Sequence, residues 1–158
     1  MQLPKAPLRE VITIDGTNVE LEVNANPVEN LGVLKAKDLF HYLNVFDPKF
    51  QPSNYNKADG SPLRLFDSAP VKIEVSKRSK EDMGFWHRNV DYNEVIICVR
   101  GALRWETEMG AVILKEGEVI VIPKGITHRS MLCKESAEEN VLIELKCRDK
   151  LNYVGDNK

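Results

Sequence analysis

The fold is decided by the stretch Gly117-Glu-Val-Ile-Val-Ile-Pro-Lys-Gly-Ile-Thr-His128. Its apolar, β-branched run is followed by Pro123 and Gly125, a pattern that predicts a short strand ending in a tight turn. His128 comes directly after that turn, at the start of another predicted strand, His128–Leu132. The stretch therefore predicts a histidine held where a strand begins.

A second polar stretch lies upstream and reads His87-Arg-Asn-Val-Asp-Tyr-Asn-Glu94, with Gly101 seven residues after the glutamate. The chain has three histidines, and each of these two stretches contains one of them. The third, His41, falls in a predicted helix, where a surface or packing role is the simpler interpretation.

The residues around both stretches alternate between apolar and polar, which is typical of strands with one buried face. Further strands are predicted at Val71–Ser76, Gly84–Arg88, Asn93–Arg100, Ala102–Thr107, Ala111–Leu114, Glu118–Ile122 and Asn140–Lys146. Many short strands separated by turns predict an all-β sandwich or barrel.

The N-terminal part has a different pattern. Val11–Ile14 and Val19–Val23 flank a polar turn and predict a hairpin. Apolar residues from Leu31 to Phe46 recur every three to five positions, which predicts one short amphipathic helix. Residues 47–70 hold half of the eight prolines and are predicted to form a long loop. We therefore expect an arm, hairpin, helix and loop over 1–70, packed on a barrel over 71–150, in a single structural domain.

Composition excludes several classes of protein. The 158 residues carry a net charge of −2, which is not the basic footprint of a nucleic-acid-binding protein. No apolar run is long enough for a transmembrane helix, and the first residues lack the apolar core of a signal peptide. Three cysteines form no CxxC pair, so free thiols and a cytoplasmic location are expected.

The two polar stretches resemble the motifs of the cupin superfamily. The first reads His87-x-Asn89-x4-Glu94-x6-Gly101, with asparagine where a second histidine is usual. The second motif has Gly117, Pro123, Gly125 and His128 at the family's spacing. The resemblance implies a cupin double-stranded β-helix, a jelly-roll barrel.

Within the cupins, the first stretch resembles the iron-binding segment of homogentisate 1,2-dioxygenase. Those enzymes are much longer chains, so the resemblance extends only to their metal-bearing barrel. It implies a non-haem Fe(II) dioxygenase-like enzyme that acts on a small aromatic or enediol acid.

Residue chemistry supports a metal site beside that resemblance. Two imidazoles and one carboxylate, here His87, Glu94 and His128, make the facial triad of non-haem Fe(II) sites, which leaves positions open for substrate and O₂. The same ligands accept Mn, Ni or Zn, so the metal is not fixed by the sequence. Asn89 is expected to hydrogen-bond a bound water or the substrate.

Two further side chains are candidates for substrate contact. Trp105 would suit a planar ligand, and Arg100 would suit an acidic group. Core packing and a solvated strand face explain the same two residues without any ligand.

Two rival functions stay open. One is a non-oxidative, isomerase-like metal cupin, and the other is a binding or sensing module without catalysis. In each case the expected partner is a small molecule, not nucleic acid or membrane. Open sheet edges make a homodimer the expected assembly.

Overall fold

A computed structural model gives the structure of the protein, and it describes residues 8–23, 33–34, 41–57, 60–79 and 85–155. The chain divides into two compact units, of which the first ends at Asn44 and the second begins at Val45. The candidate site lies entirely in the second unit.

The first unit contains the predicted hairpin. Strands β1 (Leu8–Ile14) and β2 (Thr17–Val23) pair in antiparallel fashion around a turn at Asp15 and Gly16. Both turn residues have positive φ, 47° and 77°, as the tight hairpin turns require. The hairpin prediction is confirmed.

The predicted helix is wrong where the structure describes its residues. Val33–Leu34 form strand β3, which pairs with Leu21 and Glu22 of β2, and residues 41–46 contain no helix. Apolar spacing fits more than one backbone, and here an open strand edge supplies the hydrogen bonds that a helix would otherwise make internally. Leu31 and residues 35–40 lie outside the described residues.

The second unit is an antiparallel jelly roll of two sheets. Its strands are β4 (Leu63–Asp67), β5 (Val71–Arg78), β6 (Asn93–Arg100), β7 (Ala102–Thr107), β8 (Gly110–Lys115), β9 (Val119–Ile122), β10 (His128–Met131) and β11 (Asn140–Cys147). One sheet has the order β4-β5-β11-β6-β9 and the other has the order β10-β7-β8. The all-β fold class is confirmed.

The core of this unit lies between the two sheets. It is a cluster of buried side chains from both of them: Ile96, Cys98, Leu103, Trp105, Leu114, Ile122 and Leu142. Because side chains alternate along each strand, the residues in phase with this cluster also face inward. Glu94 is in phase with Ile96, and Glu144 and Lys146 are in phase with Leu142, so one end of the interior is polar.

Two predictions within this unit need correction. The loop predicted over 47–70 contains a short 3₁₀ helix, Ser53–Tyr55, and strand β4. The strand predicted over Gly84–Arg88 is reduced to a single bridge at His87, and Gly84 lies outside the described residues. The prolines of this segment favour a loop, so the sequence pattern does not reveal β4. His87 is positioned by its single bridge to His128.

Gly101 in the first motif is required by a close approach. Its φ is +79°, and a Cβ there would lie 2.2 Å from Oδ1 of Asn140. That oxygen accepts hydrogen bonds from the backbone N–H groups of Ala102 (3.0 Å) and Ala137 (2.9 Å). The glycine therefore allows a buried asparagine to fix the turn between β6 and β7.

The three cysteines, Cys98, Cys133 and Cys147, are free thiols, as expected. Among the described residues, no helix is both long and apolar enough to cross a membrane.

Candidate metal centre

Two histidines from distant parts of the chain meet through the backbone. The N–H of His87 donates to the carbonyl of His128 (3.0 Å), and the N–H of His128 donates to the carbonyl of His87 (2.8 Å). Their rings lie edge to face with centroids 4.4 Å apart. This isolated bridge brings together the histidines of the two sequence motifs.

The Pro–Gly turn of the second motif positions His128. The N–H of Ile126 donates to the carbonyl of Pro123 (3.2 Å), which closes the turn. Gly125 has a φ of +88°, and its N–H donates to the carbonyl of Asn89. The turn therefore ties the start of β10 to the segment that carries His87.

Glu94 completes the predicted set from the start of β6. Its Oε2 lies 2.9 Å from Nε2 of His128, and both side chains are buried. Nδ1 of His128 lies 3.0 Å from the carbonyl oxygen of Ile126. Since a carbonyl only accepts, Nδ1 carries a proton, and Nε2 is the nitrogen that takes up the second proton beside Glu94 or binds a metal in its place.

Lys146 belongs to the site although the motifs do not include it. It lies on β11 directly opposite Glu94, and its ammonium donates to Oε1 of that carboxylate. It also lies 3.4 Å from Oε2 of Glu144 and 4.0 Å from Oε2 of Glu74. The sequence signal that could have placed Lys146 in the site is strand alternation. Glu144 and Lys146 follow the buried Leu142 at intervals of two, so all three side chains face the same side of the strand.

Electrostatics favour the ionised form of Glu94, the protonated form of His128 and the neutral form of His87. Burial opposes ionisation of Glu94, but His128 and Lys146 outweigh it and lower the pKa of this carboxyl to about 2. Burial, followed by the neighbouring His128, lowers the pKa of His87. Burial works against protonation of His128, yet the Glu94 carboxylate raises the pKa of that ring.

The side chains face a cavity of about 400 Å³. Its lining includes the three predicted ligands together with Arg78, Phe85, Arg88, Asn89, Trp105, Glu144 and Lys146. A larger cavity of about 670 Å³ runs along β8 and β9 and contains neither histidine. The smaller cavity is therefore the one with the chemistry of a site.

The predicted substrate-contact residues have different surroundings. Asn89 lines the cavity, but its Oδ1 accepts from the backbone N–H groups of Asp91 (3.1 Å) and Tyr92 (3.0 Å). Trp105 lines it with a ring 6.0 Å from that of His128. Arg100 is not among the lining residues and instead pairs with Glu139 at 3.2 Å. The cavity is lined instead by Arg78, whose side chain is buried.

The donor chemistry suits a divalent metal. As placed, no three His, Cys, Asp or Glu side chains of the described residues are arranged around one point for a metal ion. However, Nδ1 of His87 is buried without a hydrogen-bond partner. Nε2 of His128 faces Oε2 of Glu94 at 2.9 Å, and the raised pKa of His128 places a proton between these two atoms when no metal is bound. A divalent cation can replace that proton, and two imidazole nitrogens with one carboxylate are a set of donors that fits a divalent transition metal.

Comparison with known proteins agrees with the fold and the motifs. Residues 69–152, just over half of the chain, match the family described as homogentisate 1,2-dioxygenase N-terminal. A curated relative from Saccharolobus solfataricus, "Putative dioxygenase SSO1533", is 32% identical over 66 residues. That match covers 42% of this chain and 17% of the relative, so the chain spans a small part of that protein's length.

Solved structures share the jelly roll. A cupin-2 domain containing protein from Shewanella frigidimarina is 28% identical with a TM-score of 0.50, covering 67% of this chain and 94% of that one. Protein NMB1881 from Neisseria meningitidis is 20% identical with a TM-score of 0.50, covering 68% of this chain and 99% of that one. The chain thus belongs to the homogentisate 1,2-dioxygenase N-terminal family and is a member of the cupin superfamily.

Proposed function

We propose that this protein is a metal-dependent cupin, a non-haem Fe(II) dioxygenase-like enzyme acting on a small aromatic or enediol acid. The observation that carries the proposal is that His87, Glu94 and His128 line one cavity, with Glu94 and His128 buried. The match to a dioxygenase family and the curated relative's name support the oxidative reaction class.

His87, Glu94 and His128 would hold the metal. When bound, a divalent metal supplies Lewis-acid polarisation of a chelating substrate and, as Fe(II), a site for O₂ activation. Phe85 and Trp105 line the same cavity and offer aromatic surface to a planar substrate.

Two arginines of the cavity support an acidic substrate. Arg78 and Arg88 are among its lining residues, and the Nη1 of Arg78 donates to Oγ of Ser130 (3.1 Å). A guanidinium pairs well with a carboxylate. His128 and Ser130 on β10 are both buried, which keeps bulk water away from this side of the cavity.

Oxygen uptake tests the reaction class. Protein loaded anaerobically with Fe(II) is mixed with dihydroxylated aromatic acids and enediol acids, and O₂ consumption is followed. We expect substrate-dependent uptake that falls at least about a hundred-fold in His128→Ala, because a metal ligand is lost. His41→Ala is the matched control and should retain wild-type uptake, since His41 lies outside the unit that contains the site.

Two outcomes of this experiment exclude the dioxygenase. Iron-loaded protein that consumes no O₂ with any member of the panel, yet is stabilised by one of them, would be a binding module. Uptake that is equal in wild type and His128→Ala would come from free iron.

A non-oxidative reaction is the second candidate, and Glu144 is the observation that favours it. This carboxyl lines the cavity, and burial raises its pKa. A carboxyl with a raised pKa is suited to moving protons beside a polarised carbonyl. Solvent deuterium incorporation into a hydroxy-carbonyl acid, without O₂ uptake and lost in Glu144→Gln, would establish it.

A further inference from the structure

Three buried carboxylates share the polar end of the barrel interior. Glu74, Glu94 and Glu144 are 5%, 4% and 7% exposed, respectively. They lie on adjacent strands, with Glu144 of β11 opposite Glu74 of β5 and Lys146 of β11 opposite Glu94 of β6. Carboxylates this close repel one another, so the arrangement depends on nearby cations.

Two cations meet these carboxylates in different ways. Arg64 binds Glu74 through Nε (2.8 Å) and Nη2 (2.7 Å), both directed at Oε1. Lys146 is shared, because its ammonium donates to Glu94 and lies within 4.0 Å of both Glu144 and Glu74. The lysine therefore neutralises the group from its centre.

The position of Lys146 has a consequence for a metal held by Glu94. Its ammonium takes Oε1 of Glu94, which leaves Oε2 on the side of His128. Without this cation, Glu144 would be a second carboxylate drawn toward a nearby dication. A carboxylate added to two histidines and Glu94 would fill a coordination position that a catalytic site keeps open.

We propose that Lys146 is a positioning residue that keeps Glu144 away from the metal and so preserves open coordination positions for substrate. This inference rests on the proposed metal site. Lys146 then has two opposing effects. Its charge repels the metal and weakens metal binding, and its position leaves the bound metal able to take a chelating substrate.

The test uses two measurements on the full-length protein loaded with Co(II). Competition with a chromophoric chelator gives the Co(II) affinity, and absorbance of added 4-nitrocatechol reports a bidentate ligand on the metal. In Lys146→Met we expect Co(II) to bind at least about ten-fold more tightly and 4-nitrocatechol at least about ten-fold more weakly, since the Glu144 carboxylate would close the site.

Lys72→Met is the matched control for charge. Lys72 is the β5 residue directly opposite Lys146, and its ammonium lies 4.9 Å from the centre of the Tyr92 ring. Removing it deletes the same charge without removing the cation shared by the three carboxylates. Its 4-nitrocatechol affinity should equal that of wild type.

The outcomes separate this inference from the proposed function. Wild type that binds no Co(II) contradicts both. Wild type that binds one equivalent, with Lys146→Met binding Co(II) no more tightly, contradicts the inference alone. Tighter Co(II) binding with unchanged 4-nitrocatechol affinity also contradicts it, because the lysine would then act through charge only.

A second variant decides the matter if Lys146→Met does not fold. Glu144→Gln retains the lysine and removes the carboxylate that it is proposed to hold back. Because that carboxylate would not be a ligand, Co(II) affinity should stay within about three-fold of wild type. A loss of ten-fold or more would mean that Glu144 binds the metal and would overturn the inference.

Discussion

At the scale of single residues, the motif glycines differ in what they do. Gly101 has a positive φ and no room for a Cβ beside Asn140, whereas Gly117 has a φ of +83° with open space around it. We expect Gly101→Ala to lower the free energy of unfolding by about 3 kcal/mol, through overpacking plus backbone strain. Gly117→Ala should cost about 1 kcal/mol, from backbone strain alone. Urea unfolding compares the two, and equal losses would contradict this account of Gly101.

The Glu94 carboxylate makes a pH-dependent contribution to stability. Its pKa is lowered to about 2 in the folded protein from an ordinary 4.5. A group with a depressed folded pKa stabilises the protein above its unfolded pKa, and that stabilisation is lost as the pH falls toward the folded value.

The matching experiment uses protein stripped of metal. The difference in free energy of unfolding between wild type and Glu94→Gln should be largest above pH 5 and should shrink steadily toward pH 2. A difference that stays constant across this range would show that the carboxylate is not held ionised by His128 and Lys146.

At the scale of elements, β11 organises the second unit, because it pairs with both β5 and β6 in the five-stranded sheet. Leu142 on this strand belongs to the buried core, whereas Val119 on the edge strand β9 is 55% exposed. Leu142→Ala should therefore cost about 2–5 kcal/mol of stability, and Val119→Ala should cost less than about 1 kcal/mol. Thermal and urea unfolding measure both, and comparable losses would place the core elsewhere.

Strands and motif residues were the predictable part of the structure. Asn93–Arg100 and Ala102–Thr107 were predicted with the bounds observed, because alternation and a glycine turn act over short distances. The helix was wrong where it is described, since Val33–Leu34 pair with a strand whose edge the apolar spacing does not reveal.

Long-range pairing also explains what sequence reasoning missed at the site. Lys146 and Glu94 become neighbours through strand register across more than fifty residues, which no local spacing encodes. Arg78 likewise reaches the cavity from β5, whereas Arg100, which lies within the first motif, does not line it. Short motifs predict the candidate ligands, and the sheet supplies the residues around them.

At the scale of the whole molecule, we expect a homodimer. Within the described part of the chain, strands β8 and β9 are the last strands of their sheets. The groove along them is lined by Val112, Val119 and Val121, of which the last two are 55% and 50% exposed. Unpaired edges with apolar side chains favour pairing with a second copy. Sedimentation equilibrium should give a dimer for wild type and a monomer for the Val119→Glu, Val121→Glu double variant. A monomeric wild type at about 100 μM would contradict this assembly.

The central claim is that one metal ion binds at His87, Glu94 and His128. The most direct measurement is elemental analysis of tag-free protein after anaerobic incubation with Fe(II) and removal of unbound metal. We expect about one metal ion per chain in wild type and in the His41→Ala control, and almost none in Glu94→Ala or His128→Ala. Asn89→Ala should weaken metal binding by at most about 10–100-fold, as expected of a residue that does not ligate the metal. Wild-type protein that retains no iron, and takes up no Mn(II), Ni(II) or Zn(II) when these are supplied, would contradict the claim.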